Sequence, residues 1–294
     1  MTNSIHRIVV ARVTRLTPGM MRVVFTGDLE NFASTGIGDE YFRIFFPLDQ
    51  RGEPTLPFAI EDGYWDYPDG VEPAPLRTYT VRNWNVATGE LTVDFVVHDG
   101  GIAAAWALNA QPGDVVGVNT PRGLYDPPAE ITWQLLVADA TGLPAAARLA
   151  ESAPEGVRTR VVLEVTSPDH EQPIALRPGV ELHWVHGGNG HEPTRLEEIV
   201  RSAELPTGPG YVWVAGETKA TRGVRRYLRH ELALPVANYK VVGYWTENAE
   251  QWRERYDSLP ETDRAHLAAM WEDEERDAEE IEDEYDAELE KLGL

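Results

Sequence analysis

The feature that most constrains this chain is a change of rhythm at the Pro-rich joint YDPPAE, residues 125–130. Before it, short β-branched and aromatic runs are separated by clusters of Gly, Pro and Asp. IHRIVVARV and MMRVVFT flank a turn at Thr17-Pro18-Gly19, and YFRIFFP at 41–47 and LTVDFVVH at 91–98 add further strands. Strands at this spacing predict an antiparallel barrel or sandwich. One Ala-rich run, GGIAAAWALNA at 100–110, breaks the pattern and reads as a helix. After the joint the order becomes strand, loop, helix. WQLLVADA, RVVLEVTS, ELHWVHGG, YVWVAGET and KVVGYW are apolar runs, with TGLPAAARLAES, TRLEEIVRSAE and KATRGVRRYLRHEL as helices between them. Buried strands alternating with helices predict an α/β domain with a mostly parallel sheet. The expected organisation is a β-barrel over 1–125, an α/β domain over 130–246 and an acidic helical extension over 247–294.

Charge and cysteine content narrow the chemistry. The net charge is −23, and residues 247–294 hold 19 acidic against 5 basic side chains, so most of the imbalance sits in the extension. Such a chain has no basic footprint for nucleic acid. In the extension Ile281, Tyr285, Leu289 and Leu292 share one helical face; a solvated amphipathic helix packed on the body is expected there, with a regulatory or dimer-forming helix as the alternative. There are no cysteines, which excludes disulfides, thiolate zinc sites, cysteine-ligated clusters and a Cys nucleophile. No run approaches the roughly 18 apolar residues of a membrane span, and the N-terminus lacks a signal-peptide pattern, so a soluble cytoplasmic protein with no membrane partner is expected. His186 and His191 in VHGGNGH are separated by three glycines and read as a loop; no metal site is expected.

The stretch PLRTYTVRNW, residues 75–84, places two arginines, a tyrosine and two threonines within six positions. On a strand Arg77, Tyr79 and Val81 face one way and Thr78, Thr80 and Arg82 the other. Tyr79 offers a ring to an isoalloxazine, Thr80 a hydrogen bond to a flavin edge, and an arginine a bidentate partner for pyrophosphate. An ordinary barrel strand with surface arginines is the competing reading. VVHDGGIAAAWA then sets two glycines before a helix, where free N–H groups and the helix dipole favour an anion, with His98 within reach.

RTYTVR resembles the Arg-x-Tyr-Thr-x-Arg flavin motif of the siderophore-interacting proteins, flavin-dependent ferric-siderophore reductases related to the ferredoxin reductases. DFVVHDGGIAAAWA is similar to their phosphate-binding stretch, VADATGLPAAARL to their Asp-Glu-Thr-Ala-Leu-Pro-Ala segment, WVAGE to their Ala-Gly-Glu segment and VVGYW to their Gly-Tyr-Trp ending. These segments run in order over about residues 5–250. The resemblance implies an FAD-binding barrel and a domain for NADH or NADPH, with a ferric siderophore as substrate. Arg77, Tyr79, Thr80 and Arg82 would hold the flavin. The turn from His98 through Gly101 to Ala103 and Ala104 would hold its pyrophosphate, with Trp106 supporting the helix. Asp139, Thr141, Gly216 and Glu217 would line the nicotinamide-nucleotide edge.

Two positions depart from the family pattern: Ala103 stands where Pro is common, and Thr246 where an arginine of the siderophore pocket follows Gly-Tyr-Trp. Arg122, Lys240 and Arg43 are the remaining candidate substrate cations. Arg222, Arg225, Arg226 and Arg229 form a basic helical face, suited either to an adenosine 2′-phosphate or to balancing the acidic extension. Hydride transfer delivers an electron pair while iron takes one electron, so a flavin between them fits the implied reduction of Fe(III) to Fe(II). A general NAD(P)H:flavin or ferric reductase, or a non-catalytic siderophore-binding protein, would share these motifs.

Overall fold

The computed structural model describes residues 4–49, 52–60, 65–98, 101–188, 193–247, 249–272 and 276–294. It divides into two compact units: Met1–Tyr125 with Pro144–Ser152 and Ser167–Arg177, and Asp126–Leu143 with Ala153–Thr166 and Pro178–Leu294.

The first unit is built on a seven-stranded antiparallel sheet. Its strands are β1 (Ile5–Thr17), β2 (Met20–Gly27), β3 (Tyr41–Phe45), β6 (Leu76–Thr80), β7 (Asn83–Asn85), β8 (Glu90–Val96) and β9 (Val115–Asn119), in the order β6-β3-β9-β1-β2-β8-β7. The two ends of that order are consecutive in the chain. Val81 N–H donates to Glu40 O (2.9 Å) and Arg82 N–H to Thr92 O (3.0 Å), so the segment after β6 leaves the β3 side and joins β8. The RTYTVR motif therefore lies where the barrel closes, which leaves no free edge there. A separate two-stranded ribbon, β4 (Phe58–Ala59) with β5 (Trp65–Asp66), is too short to show in the sequence rhythm.

Inward residues of these strands meet the helix α1 (Ile102–Asn109), which buries Ala103, Ala104, Trp106 and Ala107. The Trp106 indole stacks on Phe25 (6.1 Å, 11°) and meets Phe46 and Phe95 at 5.4 and 5.7 Å. The two alanines let the helix approach closely while Trp106 fills the centre of the cluster. The body of α2 (Leu143–Glu151) also belongs to this unit. Its Arg148 Nη1 reaches Glu40 Oε1 and Val81 O, each at 2.7 Å.

The second unit has a five-stranded parallel sheet in the order β12-β11-β10-β13-β14. The strands are β10 (Trp133–Ala138), β11 (Arg158–Val165), β12 (Val180–His186), β13 (Gly210–Glu217) and β14 (Tyr239–Trp245). Every residue of β10 and β13 is buried, which is why both read as continuous apolar runs. The chain moves outward from β10 to β12, then returns through α3 (Leu196–Ser202) to place β13 on the other side of β10. That reversal is a topological switch point, where parallel sheets open a ligand crevice at their carboxyl ends.

The extension forms α5 (Ala249–Asp257), α6 (Glu261–Ala269) and α7 (Ala278–Lys291), and Ile281 and Leu289 are buried as its periodicity predicts. Its acidic face is not simply solvated, because α7 docks on α4 (Thr218–Arg226) and the π-helical turn Tyr227–Glu231. Arg222 pairs with Asp286 (2.9 Å), Arg226 with Glu290, Arg229 with Glu280 and Asp283 (both 3.4 Å) and His230 with Asp283 (2.9 Å). At the centre, Arg225 is 2% exposed and meets Glu279 (3.1 Å), Glu282 (2.9 Å) and Asp286 (2.5 Å). Of the two readings of the arginine face, balancing the extension is the one its partners support.

Burial pushes the Glu282 carboxyl up to about 7, with Glu279 and Asp286 adding to the rise against the opposing Arg225. The folded state then holds this proton more tightly than the unfolded chain does. Its contribution to stability is fully present below about pH 4.5 and is lost as pH rises to about 7. With this carboxylate 31% exposed, Glu282→Gln is expected to stabilise the protein at pH 8 by about 1 kcal/mol and to leave it unchanged at pH 4.5. Denaturant unfolding of both proteins at the two pH values measures this.

Candidate functional site

In the first unit the site begins at the rim of the closing strand. Arg77 and Tyr79 lie opposite Ile44 and Phe42, so they leave the sheet on one face, Tyr79 against the core and Arg77 exposed. The Tyr79 ring is half-buried and tilted against Phe95 at 4.4 Å. Burial pushes its hydroxyl well above the usual tyrosine range, against the opposing charge of Arg77, so it stays protonated and can donate a hydrogen bond. Arg77 is exposed, and its hydrogen bond among the described residues goes to the neighbouring carbonyl of Leu76 (2.7 Å). Thr80 is buried at the end of β6.

Arg82 is placed differently. Both its terminal nitrogens donate to Glu151 at 2.7 Å, its Nε lies 3.7 Å from the buried Asp94, and it is 12% exposed. With Arg148 it ties α2 to the closing strand, whereas Arg77 keeps its guanidinium open. His98 is half-buried. Gly101 precedes α1 with φ 87°, and a Cβ there would lie 3.1 Å from His98 Cε1. Among the described residues no side chain caps this helix start, which leaves its first N–H groups open to an anion. Asp99 and Gly100, within the same turn, lie outside the described residues, as does His191. An open arginine, a protonated half-buried tyrosine and an uncapped helix start on a glycine are a donor set that fits a flavin dinucleotide.

In the second unit the crevice edge is organised by Asp139, directly after β10. Its carboxylate has no exposed surface. Oδ1 accepts from Thr141 N (2.8 Å), Thr141 Oγ1 (2.6 Å) and Gly142 N (3.3 Å); Oδ2 accepts from Glu217 N (2.9 Å) and Trp245 Nε1 (2.8 Å). Burial raises its pKa, and the bonds from Thr141 and Trp245 work against that rise. Glu217 caps α4 by accepting from Ala220 N (2.9 Å). Thr218 Oγ1 donates to Trp245 O (2.8 Å) and lies 3.1 Å from the Thr246 hydroxyl. Gly216 has no room for a side chain, because a Cβ would strike Leu196 and sit 2.6 Å from Asp139 Oδ2. Gly216→Ala is expected to cost about 1–3 kcal/mol in unfolding free energy, measured by chemical denaturation.

A second buried carboxylate, Glu164 near the end of β11, accepts from Arg195 N (2.8 Å) and from the Thr194 hydroxyl, and burial raises its pKa. Sequence reasoning passed over it, although a lone acid inside the apolar run RVVLEV is a visible signal. The candidate substrate cations are scattered. Lys240 pairs with Glu279 at 2.8 Å, Arg43 stacks over the Trp65 ring at 5.1 Å, and Arg122 is exposed beside Tyr41. Among the described residues no group of three or more His, Asp or Glu is placed to hold a metal, and no helix is long and apolar enough to cross a membrane.

A closed antiparallel barrel followed by a parallel sheet with a switch point is the fold shared with the ferredoxin reductase in carbazole 1,9a-dioxygenase, which superimposes with a TM-score of 0.62 at 16% identity over 83% of this chain and 70% of that one. Family models agree in detail: the siderophore-interacting FAD-binding domain matches residues 9–125 and the siderophore-interacting protein model residues 131–248. The chain is 31% identical over 244 residues to the NADPH-dependent ferric-chelate reductase of Escherichia coli, covering 82% of this chain and 92% of that one. It is 29% identical to the ferric vibriobactin reductase of Vibrio cholerae, covering 86% and 96% respectively. A siderophore utilization protein from T. fusca superimposes with a TM-score of 0.75 at 34% identity, over 84% of this chain and 94% of that one. This chain belongs to the siderophore-interacting protein family.

Proposed function

We propose that this chain is an FAD-dependent ferric-siderophore reductase that uses NADH or NADPH to reduce siderophore-bound Fe(III) to Fe(II). The observation that carries the reading is the donor set on the closing strand and at the start of α1, lying inside a region matched by an FAD-binding family model. FAD, when bound, accepts electrons as a pair and releases them singly, which is the conversion a nicotinamide donor and an iron acceptor require.

The protein's own residues supply binding and orientation. Arg77 would pair with a flavin phosphate, Tyr79 and Thr80 would hold the isoalloxazine, and the N–H groups at Gly101 to Ala104, with His98, would hold the pyrophosphate. Arg82 contributes through Glu151 and Asp94, holding the strand that carries the motif. Trp106 anchors α1 in the barrel core. At the second site the ends of β10, β13 and β14 receive the nicotinamide nucleotide. Arg122, exposed, is the cation we assign to the ferric complex; Lys240 is occupied by Glu279. The iron is substrate and needs no protein ligand. We place the reaction in the cytoplasm, where a chain without cysteines has no need of an oxidising compartment. A nucleic-acid partner has no part in the reading, given the net charge of −23.

Thr246 favours one second reading. With its hydroxyl turned to Thr218 rather than a cation at this position, a less selective ferric reductase is the competing assignment. Purified protein with a yellow flavin spectrum, mixed with NADH or NADPH and ferric hydroxamate or catecholate complexes, tests both. Siderophore-dependent nucleotide oxidation supports the proposal. Equal rates with simple ferric chelates support the less selective reductase, and a colourless protein that cannot take up FAD contradicts both.

A further inference from the structure

Asp139 presents a physical problem that its place at the crevice edge alone does not solve. A carboxylate with no exposed surface is costly to bury, and the cost is tolerated only with full hydrogen bonding. All five of its partners are donors: Thr141 N and Oγ1, Gly142 N, Glu217 N and Trp245 Nε1. An ionised carboxylate accepts at every site, whereas an asparagine would turn an NH2 group against some of these donors.

The five bonds run to three different strand ends. Thr141 and Gly142 belong to the turn after β10, Glu217 ends β13 and caps α4, and Trp245 ends β14. The donors of the β10 turn are thus directed inward. Neither the Thr141 N–H nor its hydroxyl proton is left to donate to a ligand, and Asp139 has no surface to offer one. Of the groups that Asp139 holds, Thr141 and the Trp245 indole are partly exposed, and the indole is the one with a flat ring to set against a planar ligand. Its backbone is fixed independently by Thr218 Oγ1 donating to Trp245 O.

We infer that Asp139 is a positioning residue for nicotinamide-nucleotide binding: it joins the ends of β10, β13 and β14 into one rim and fixes the Trp245 ring as the contacting group. Asp139, with no exposed surface, then acts on the nucleotide through Trp245 and not by touching it. This rests on the reading that the β10/β13 edge receives NADH or NADPH.

The test uses the full-length flavoprotein with Asp139→Asn, Trp245→Phe and the double variant. Asp139→Asn is expected to keep its FAD content and change kcat less than twofold, while raising KM for NADH or NADPH about tenfold. The indole N–H of Trp245, followed by NMR with nitrogen-labelled tryptophan, is expected to be protected from solvent exchange in the wild type and to lose that protection in Asp139→Asn. Trp245→Phe is expected to raise KM by a similar factor, and the double variant to be no worse than either single one, because both act through one ring. If Asp139→Asn does not fold, Trp245→Phe alone carries the KM test. Wild-type KM or unchanged indole exchange in Asp139→Asn overturns the proposal, as do additive effects in the double variant. Wild-type protein whose flavin neither nucleotide reduces overturns the functional reading instead, an outcome distinct from a wild type that is reduced alongside an Asp139→Asn protein of unchanged KM.

Discussion

Replacing Arg77 with alanine is expected to yield a folded protein that purifies with little or no flavin. The side chain is exposed and its hydrogen bond among the described residues is to Leu76 O, so its loss removes almost nothing from the fold. Its proposed phosphate contact is charge-assisted, worth about 1.5–3 kcal/mol, which corresponds to FAD binding weakened roughly 10- to 100-fold. Flavin absorbance per protein and titration of the apoprotein with FAD measure this. Arg82→Ala should behave in the opposite way. It strips Glu151 and Asp94 of a cation, so the loss should appear first in thermal stability and only through it in flavin content. Arg77→Ala protein with a full complement of tightly bound FAD would exclude this arginine from the flavin site.

The second large effect is expected far from any cofactor. Arg225→Met leaves Glu279, Glu282 and Asp286 without the guanidinium that neutralises them in a nearly dry pocket. Breaking a buried ion cluster by removing one partner typically costs about 3–5 kcal/mol; Asp286 keeps Arg222 and Glu279 keeps Lys240, so a loss of about 3 kcal/mol is expected. Denaturant unfolding should show that loss, and limited proteolysis should release α7 first. Arg226→Ala is the control. Its pair with Glu290 is half exposed on both sides, so a change of at most about 1 kcal/mol is expected. Equal stability of Arg225→Met and wild type would show that α7 is held by its apolar contacts at Ile281 and Leu289 alone.

The sequence made the architecture legible because each unit has its own periodicity. The fully buried strands β10 and β13 read as unbroken apolar runs, and the barrel strands as short segments between turn residues. The ribbon of β4 and β5 escaped because two-residue strands carry no period. At the site, residue types were legible but side-chain partners were not. The motif RTYTVR shows two arginines of equal promise. Only the closure of the barrel after Thr80 and the arrival of Glu151, 69 residues along the chain, separate an open Arg77 from an occupied Arg82. Asp139 was visible as an acid at a strand end, yet its bond to Trp245 spans 106 residues and no local pattern encodes it. The same holds for Lys240, which looks like a free cation until α7 brings Glu279 against it. Long-range ion pairs are set by packing, and packing is what a periodicity argument leaves out.

As a ferric-siderophore reductase, this chain is expected to move electrons from a nicotinamide nucleotide to siderophore-bound iron through a flavin. Anaerobic mixing of the purified flavoprotein with a limiting amount of NADH or NADPH and excess ferric siderophore, with a chromogenic Fe(II) trap, tests it most directly. About two Fe(II) should be trapped for each nucleotide oxidised, dependent on bound FAD. Nucleotide oxidation without Fe(II), or Fe(II) formed equally well by protein stripped of FAD, would contradict it.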